Sequence, residues 1–385
     1  MIRITDKSKC CGCTACVAAC PVRCITMQED SEGFMYPKVN ESECVGCNLC
    51  LNVCPAIHYG DSCRPSEIYA AKANDDKIRM SSSSGGIFSL LAENIIDDGG
   101  VVFGAEFNDR WEVIHSYEET RAGLAGFRGS KYVQSYMGNS YRDAKTFLDR
   151  GRMVLFSGTP CQIAGLKHFL KKDYDNLLTV DLICHGVPSP SVWNEYLYEL
   201  KVKSGAEAIS AIEFRDKSEG WKNYKILVEG YNQGNKFLLE DESFYINNYC
   251  KAFLNNISLR PSCFACPVKA GKSGSDITLG DYWGMKDAGS ELNDDKGCSV
   301  VLVNTPKGSS FIAALPAYMK SDIKYEWVLD FNPSLEKSAG LSPNRDFFFY
   351  MLFRRRKSFS KAIARTMDKV LIWRLRRLIY RRMGV

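Results

Sequence analysis

The pattern of apolar and polar residues changes near Ile68. From there to about residue 304, short apolar runs of strand length alternate with segments whose apolar residues recur at helical spacing. The clearest helix is predicted over residues 87–96, where Ile87, Leu90, Leu91 and Ile95 share one face. Strands are predicted at 101–107, 153–156 and 177–184, and further helices at 161–170 and 190–201.

The second half of this region has a less regular pattern. Residues 209–215 and 224–229 predict antiparallel strands, and residues 277–279 and 299–304 predict core strands. A helix is predicted over 309–319, with Pro316 expected to kink it or end it early. Together these elements predict an α/β domain with a mixed sheet rather than a regular Rossmann alternation.

The C-terminal segment has a different, amphipathic pattern. Its apolar residues follow i, i+3, i+4 spacing and form one stripe of a predicted helix: Phe359, Ile363, Met367, Val370, Leu371, Leu375, Leu378 and Ile379. Residues 354–385 carry 12 Lys or Arg and one acidic residue, so this segment is at +11 and the rest of the chain at −6. Three alternatives follow: a helix at an anionic membrane surface, a helix packed on its own domain or a partner, or nucleic-acid binding, for which no motif is present.

Ahead of residue 60 the apolar runs are short and cysteines dominate. Residues 24–39 suit a small hairpin, and cysteine runs with the spacing C-x2-C-x2-C-x3-C-P lie on either side of it, at 10–21 and 44–55. This spacing is typical of two-cluster bacterial ferredoxins, in which the fourth cysteine of each run ligates the other cluster. The predicted ligand sets are Cys10, Cys13, Cys16 and Cys54 for cluster I, and Cys44, Cys47, Cys50 and Cys20 for cluster II.

A zinc site or a disulfide framework is the alternative for these cysteines. Zinc sites usually show separated pairs of cysteines, whereas four lie within eleven residues here. Nine of the 17 cysteines remain outside the two runs, and the pattern assigns no role to Cys11, Cys24, Cys63, Cys250 and Cys298. Clusters and free thiols are typical of a reducing compartment, and the polar start of the chain does not resemble a secretory signal, so we expect a cytoplasmic location.

Composition and length complete the domain prediction. A chain of 385 residues is too long for a ferredoxin alone, and 45% apolar residues are enough for a globular core. We predict a ferredoxin-type domain over 1–60, an α/β domain over 66–345 and a basic amphipathic tail over 346–385. The fold class is therefore mixed α+β and α/β, with a dicluster ferredoxin-like module at its start.

Two further features carry chemistry. The loop at 81–86, S-S-S-S-G-G, opens the predicted helix and offers backbone N–H groups to a dinucleotide pyrophosphate, although serine-rich turns are also common helix caps. Four other cysteines, from three separate segments, could hold a third cluster: Cys161, Cys184, Cys263 and Cys266. The alternatives are core packing for the first two and half a zinc site for the last pair.

Six segments, in order along residues 66–310, resemble the coenzyme F420 hydrogenase/dehydrogenase beta subunit family. They are S-S-G-G-I-F (83–88), G-S-K-Y-V-Q-S (129–135), L-F-S-G-T-P-C-Q-I-A-G-L (155–166), D-L-I-C-H-G-V-P-S-P (181–190), R-P-S-C-F-A-C-P (260–267) and S-D-I-T-L-G-D-Y-W-G (275–284). The ferredoxin module ahead of them resembles that of the family's dicluster-headed members.

The resemblance implies a flavoprotein with FAD beside a third [4Fe–4S] cluster. It implies FAD contacts from Ser83, Ser84, Gly85, Gly86, Lys131, Gly158 and Thr159, and cluster ligands from Cys161, Cys184, Cys263 and Cys266. Asp281 is either a polar site residue or a turn former. No catalytic residue is assigned.

The function expected from the resemblance is that of an iron–sulfur flavoprotein oxidoreductase. It would pass electrons between a low-potential carrier, coenzyme F420 or ferredoxin, and a substrate or partner. The alternative is a non-catalytic electron-transfer subunit that feeds a separate enzyme, for example in polysaccharide modification. Peripheral contact of 354–385 with the inner face of the membrane stays an option, and nucleic acid is not expected as a partner.

Overall fold

An eight-stranded mixed sheet forms the centre of the protein in a computed structural model, which describes residues 1–284 and 290–368. Its strand order is β13-β3-β12-β11-β7-β6-β4-β5, and β4, β6, β7 and β11 run parallel while the outer strands are antiparallel. The strands of this sheet are β3 Glu67–Ala73, β4 Val101–Phe107, β5 Val113–Glu118, β6 Val154–Gly158, β7 Leu177–Leu182, β11 Ile277–Asp281, β12 Ser299–Val303 and β13 Tyr318–Asp322.

Two smaller antiparallel sheets complete the β-structure of the described residues. The hairpin of β1 Ile25–Glu29 and β2 Met35–Val39 lies in the ferredoxin module and confirms the hairpin predicted over 24–39. A three-stranded sheet contains β8 Ala208–Asp216, β9 Lys225–Asn232 and β10 Asn235–Ser243. Only the first two strands of this sheet were expected, because the third has mostly exposed or half-buried residues and only a short apolar run at 237–239.

The helices lie on both faces of the large sheet and around the ferredoxin module. They are α1 Ala15–Ala18, α2 Leu49–Asn52, α3 Asp76–Met80, α4 Ile87–Asp97, α5 Ser140–Asp149, α6 Pro160–Leu170, α7 Pro190–Ser204, α8 Asn248–Leu254, α9 Pro306–Ala313, α10 Tyr325–Phe331, α11 Arg345–Phe349 with the π-helical turn Tyr350–Arg354, and α12 over 359–368. In the described part of the chain, none of these helices is both long and apolar enough to cross a bilayer.

Alternation along the central strands creates two cores. Leu155 of β6 faces a core that includes the apolar side of α4, whereas its neighbours Val154 and Phe156 face the opposite core with α5 and α6. Ala15 and Val53 of the ferredoxin module belong to this second core. The module therefore packs directly on the helices that flank the parallel strands.

The helix predicted over 309–319 ends early, which is one of the two outcomes expected from Pro316, and it begins three residues sooner than predicted, at Pro306. Helix α9 ends at Ala313, and the chain enters the edge strand β13 at Tyr318. Pro316 lacks the N–H that a continued helix needs, and Ala317 adopts a left-handed φ of 44°. Pairing of β13 with β3 then determines the conformation of residues that have helical spacing in the sequence.

The start of the predicted amphipathic tail packs on its own domain. In α12, Phe359, Ala362 and Ile363 are buried, and the Phe359 ring lies 5.5 Å from Tyr196 and 6.1 Å from Phe348. Of the three alternatives for the amphipathic stripe, this part of it therefore follows the one in which the helix packs on its own domain. The rest of the stripe, from Val370 to Ile379, lies outside the described residues.

Candidate iron–sulfur and flavin sites

The four cysteines predicted for cluster II surround one cavity. Cys20, Cys44, Cys47 and Cys50 line it, and Cys24 lines it as a fifth thiol, with its sulfur 3.5 Å from that of Cys20. Left-handed residues at Gly46 and Asn48 let the chain turn tightly between the ligands of the second run. The structure thus brings this predicted set together.

The predicted ligands of cluster I are all buried in the same region. Burial raises the pKa of the Cys16 thiol to about 12, and the neighbouring sulfurs of Cys10 and Cys54 add to the effect; Cys13 also lies near Cys16. A thiolate in such surroundings needs a compensating cation, which iron supplies. These four residues therefore fit a cluster that is bound as thiolates.

A third group of cysteines meets at the carboxyl edge of the parallel strands. Cys161 begins α6 directly after β6, Cys184 follows β7, and Cys263 and Cys266 come from the 3₁₀ turn at 261–265 and its end. Burial raises the pKa of Cys184 to about 12, and Cys161 and Cys266 are the neighbouring thiols that raise it further. Cys263 has all three of the others as electrostatic neighbours.

These groups do not resemble single-ion sites. Within residues 1–284 and 290–368, no group of three or more His, Cys, Asp or Glu side chains is arranged to hold a single metal ion. A zinc ion needs its sulfurs about 2.3 Å from one centre, whereas a four-iron cluster separates its ligands more widely.

Cys11 lies between the ferredoxin module and the third cysteine group. Its thiol is within hydrogen-bonding reach of both Cys13 and Cys161, and its carbonyl accepts a 3.0 Å hydrogen bond from Gln134. Sequence reasoning left Cys11 without a role because it is out of register with the cluster spacing. The only sign of a role for Cys11 in the sequence is that it follows Cys10 directly. Its proximity to Cys161 arises only in the folded chain.

Arg260 is the second residue at this junction that the sequence did not single out. The guanidinium is fully buried, and its Nε donates to the Cys10 carbonyl at 2.7 Å while an Nη lies 3.7 Å from the Cys10 sulfur. It also donates to Gln134 at 3.0 Å and lies over the Tyr36 ring. A buried cation therefore faces a predicted cluster I ligand, and it is the first residue of the R-P-S-C-F-A-C-P segment.

Lys269 has a comparable place at the third group. Its buried amine donates to the carbonyl oxygens of Cys184 and Ser334, the latter at 2.6 Å. The lysine thus ties the loop after β7 to the segment after the cysteine turn, and it adds positive charge beside the thiols.

The predicted flavin loop at 83–86 packs against the start of β12. The Gly85 N–H donates to Ser299 Oγ at 3.0 Å, and a Cβ at Gly85 would lie 2.3 Å from the Ala71 carbonyl oxygen. Gly86, at φ 84°, caps the eleven-residue helix α4, and no side chain caps this N-terminus. A helix N-terminus without a side-chain cap fits a cofactor phosphate.

The segment G-S-K-Y-V-Q-S connects this loop to the cysteine groups. Ser130 donates to Ser83 at 2.8 Å, Gln134 bonds to Arg260, and Ser135 accepts from Gln162 at 2.8 Å. Lys131 lies within the segment, with its amine bonded to the carbonyl oxygens of residues 128 and 129. Burial lowers the pKa of Lys131 to about 8, while Glu106 opposes the shift.

Gly158 and Thr159 lie where β6 passes into α6. Thr159 and Gln162 form a capping box, with the Thr159 N–H donating to Gln162 Oε1 at 2.9 Å, and the Thr159 hydroxyl is 3.3 Å from the Cys161 sulfur. These two residues are thus adjacent to the third cysteine group. The uncapped end of α4 and Lys131 offer the positive charge that a cofactor phosphate needs.

Asp281, left open between a site residue and a turn former, is an ion-pair partner. It accepts a 2.7 Å hydrogen bond from Arg215, which also donates to the Ser83 carbonyl at 3.2 Å. Burial alone would lower the pKa of Arg215, and the Asp281 carboxylate reverses this and raises it. The pair therefore holds the flavin loop to the end of β11.

Family models match three parts of the chain. Residues 68–140 match the N-terminal model and residues 151–323 the C-terminal model of the coenzyme F420 hydrogenase/dehydrogenase beta subunit, and residues 9–57 match a 4Fe-4S dicluster domain. No curated protein matches the chain.

Among solved structures, a chain of the F420-reducing [NiFe] hydrogenase complex from Methanosarcina barkeri is similar, with 17% identity over 80% of this chain and 92% of that chain. The TM-score between the two chains is 0.45. The two beta-subunit ranges together span more than half of the 385 residues and confirm the resemblance seen in the motifs. The chain belongs to the coenzyme F420 hydrogenase/dehydrogenase beta subunit family, with a 4Fe-4S dicluster domain at its N-terminal end.

Proposed function

We propose that this protein is an iron–sulfur flavoprotein oxidoreductase that passes electrons between a low-potential carrier and a substrate or partner. The carrier is coenzyme F420 or ferredoxin, and the route uses FAD and three [4Fe–4S] clusters. The observation that carries the proposal is the continuity of the cysteine groups. Cys11 of the ferredoxin module lies close to Cys13, a predicted ligand of cluster I, and to Cys161 of the third group, which supports an electron path between these two sites.

Different residues of the chain would bind the clusters and the flavin. The cysteines of the three groups would hold the clusters as thiolates, and Arg260 and Lys269 place positive charge beside two of them. The end of α4 and Lys131 would bind the cofactor phosphates, while Thr159 orients its hydroxyl next to Cys161. FAD, when bound, supplies the conversion between hydride and single-electron transfer.

Cluster II is the expected exit to a one-electron partner. Its cavity is bordered by Val22 and Val45, which are 43% and 64% exposed, and Cys47 is exposed as well. An exposed apolar rim around a redox site is typical of a protein docking surface. This surface favours the second candidate function, a non-catalytic electron-transfer subunit that feeds a separate enzyme.

Metal and flavin content test the proposal. The chain purified without oxygen should contain about 12 iron atoms, four for each cluster, and one FAD. Cys184→Ser combined with Cys263→Ser should reduce the iron content to about 8 and leave the spectra of the ferredoxin clusters intact. An iron content of about 8 in the unaltered chain, or no retained FAD, would contradict the proposal.

Turnover separates the two candidate functions. We expect the loaded chain alone to oxidise reduced coenzyme F420 or reduced ferredoxin with an artificial one-electron acceptor. If the carriers reduce the clusters but neither carrier supports turnover, the result would favour the electron-transfer subunit.

The basic tail leads to a separate proposal of peripheral membrane contact. Residues 354–385 have a net charge of +11, which favours anionic lipid. The full chain should float with vesicles that contain phosphatidylglycerol, and a chain ending at residue 368 should not. Equal flotation of the two chains, or equal flotation with neutral vesicles, would contradict it.

A further inference from the structure

A cavity of about 660 Å³ lies between the ferredoxin module and the third cysteine group. Ligand sites of small molecules typically enclose about 300–1,000 Å³, so its size suits a single small molecule. Its walls come from the ferredoxin module, the linker after it and the segment that follows the cysteine turn. Cys11 and Cys266 both line it, and none of the residues predicted for the flavin loops does.

The walls are held together by the backbone rather than by mobile side chains. The Cys63 N–H of the linker donates to the Ala270 carbonyl at 3.2 Å, and the Ala270 N–H donates to the Leu335 carbonyl at 2.9 Å. Gly271, at φ 75°, lies against the linker so closely that a Cβ would be 2.4 Å from the Cys63 oxygen. The cavity is therefore preformed.

The charge of the lining is strongly positive. Four basic side chains and one acidic side chain face the cavity: Lys9, Arg64, Lys269, Lys272 and Glu336. Glu336 accepts a 2.8 Å hydrogen bond from Tyr325, and Lys269 is committed to two carbonyl oxygens. This leaves Lys9, Arg64 and Lys272 as the cations that suit an incoming anion, with Arg64 able to bind phosphate or carboxylate in a bidentate way.

Two aromatic rings accompany these cations. Arg64 lies over the Tyr325 ring at 4.9 Å, and the Lys272 amine lies 5.2 Å from the centre of the Tyr59 ring. Rings paired with cations offer stacking for a planar molecule and charge for its acidic groups. We propose that this cavity binds a small aromatic molecule that bears phosphate or carboxylate groups.

Because of its position, an occupied cavity would affect electron transfer between cluster I and the third cysteine group. A ligand there would lie beside Cys11 and Cys266, on the path between cluster I and the third group. In this respect alone the inference rests on the proposed function. Binding itself is measured without turnover, so the two can fail separately.

FMN and riboflavin test the site because they share a ring system and differ by a phosphate. With the FAD-loaded holoprotein, FMN should bind at least about tenfold more tightly than riboflavin, and inorganic pyrophosphate should displace it. Raised salt should weaken FMN binding, because the contacts are partly solvent-exposed charges. Equal affinities for FMN and riboflavin would overturn the proposal.

Charge-removing variants locate the site. Arg64→Gln and Lys272→Gln should each weaken FMN binding several-fold, and the double variant by at least about tenfold. The matched control is Lys172→Gln, because Lys172 also lies over a tyrosine ring, at 4.4 Å from Tyr174, but does not line the cavity. Unchanged binding in the double variant, or an equal loss in the control, would overturn the proposal. Iron and FAD content of each variant shows that the cofactor sites are retained.

Discussion

Single residues between the ferredoxin module and the third cysteine group place charge beside the proposed electron path. Arg260 reaches the Cys10 carbonyl and sulfur from a fully buried position, and Gln134 links it to the Cys11 carbonyl. A reduced cluster carries one more negative charge than an oxidised one, so a nearby cation stabilises the reduced form. We therefore expect Arg260 to raise the reduction potential of cluster I.

Replacing Arg260 tests this electrostatic role. Arg260→Gln should lower the potential of cluster I by on the order of 60 mV, which is a tenfold change in a one-electron equilibrium. Arg260→Lys keeps the charge and should restore most of that loss. A redox titration followed by electron paramagnetic resonance measures both variants. Equal shifts in the two variants would indicate a purely structural role.

Lys131 gives a prediction of pH dependence. Burial lowers the pKa of Lys131 to about 8, so the amine is charged at pH 7 and loses its charge as the pH rises through 8. If it binds a cofactor phosphate, the affinity of the FAD-free protein for FAD should fall by about tenfold between pH 7 and 9, the scale of one hydrogen bond to a charged group.

Two variants of Lys131 complete this experiment, which follows FAD binding by fluorescence. Lys131→Arg stays charged and should show a flat pH profile, whereas Lys131→Met should bind weakly at every pH. A fall with pH that is identical in Lys131→Met and the unaltered protein would assign the titration to another group.

At the scale of elements, α12 shows how tertiary packing decides between alternatives. Its Phe359 side chain is 2% exposed and contacts rings from α7, α8 and α11. The apolar stripe in the sequence was equally suited to a membrane surface, because a membrane and a protein core both stabilise a helix with one apolar face. Burial of this first turn anchors the tail to the α/β domain.

Removing the Phe359 ring should destabilise the protein measurably. Phe359→Ala should lower the free energy of unfolding by about 3–5 kcal/mol, the usual cost of emptying a buried aromatic position. Tyr350→Ala is the control, since Tyr350 is 48% exposed and a surface change usually costs less than about 0.5 kcal/mol. Urea denaturation followed by circular dichroism compares them. A loss of similar size in both would contradict the packing argument.

At the scale of the whole molecule, the ferredoxin module is docked by buried polar contacts as well as by the shared core. Glu32 accepts hydrogen bonds from both Nη atoms of Arg345, at 2.9 and 2.6 Å, and Arg345 is 5% exposed. Arg142 donates to the Val17 and Ala18 carbonyls of the module. This docking holds cluster I beside the third cysteine group.

Breaking the pair of Glu32 and Arg345 should loosen the module. Glu32→Gln removes the buried guanidinium's close counter-charge and leaves only the exposed Asp346 carboxylate, 3.7 Å away. Removing one partner of a buried pair usually costs about 3–5 kcal/mol. The visible iron–sulfur absorbance should then bleach at a lower temperature. Glu41→Gln is the control, because the pair of Glu41 and Arg3 is exposed and such pairs contribute about 0–1 kcal/mol. Indistinguishable bleaching of the two variants would contradict the docking role.

The sequence by itself determined the features that depend on local spacing. The cysteine runs specify two ligand sets because a cluster needs thiolates at short, regular intervals, and Cys20, Cys44, Cys47 and Cys50 do line one cavity. Apolar runs of strand length likewise predicted five strands of the large sheet, β4, β6, β7, β11 and β12, and helical spacing predicted α4. The third strand of the small sheet was not predicted, because its only apolar run is the short one at 237–239, and β13 was not predicted, because it forms only by pairing with β3.

Only the tertiary structure decided which distant residues meet. Cys11 approaches Cys161, Arg260 approaches Cys10, and Asp281 pairs with Arg215, although 66 to 250 positions separate these partners in the chain. No periodicity records such contacts, because they arise from the order of parallel strands and from the docking of the ferredoxin module on α5 and α6. Spacing along the chain thus predicted the ligand sets of the dicluster module, whereas packing decided which distant residues lie beside them.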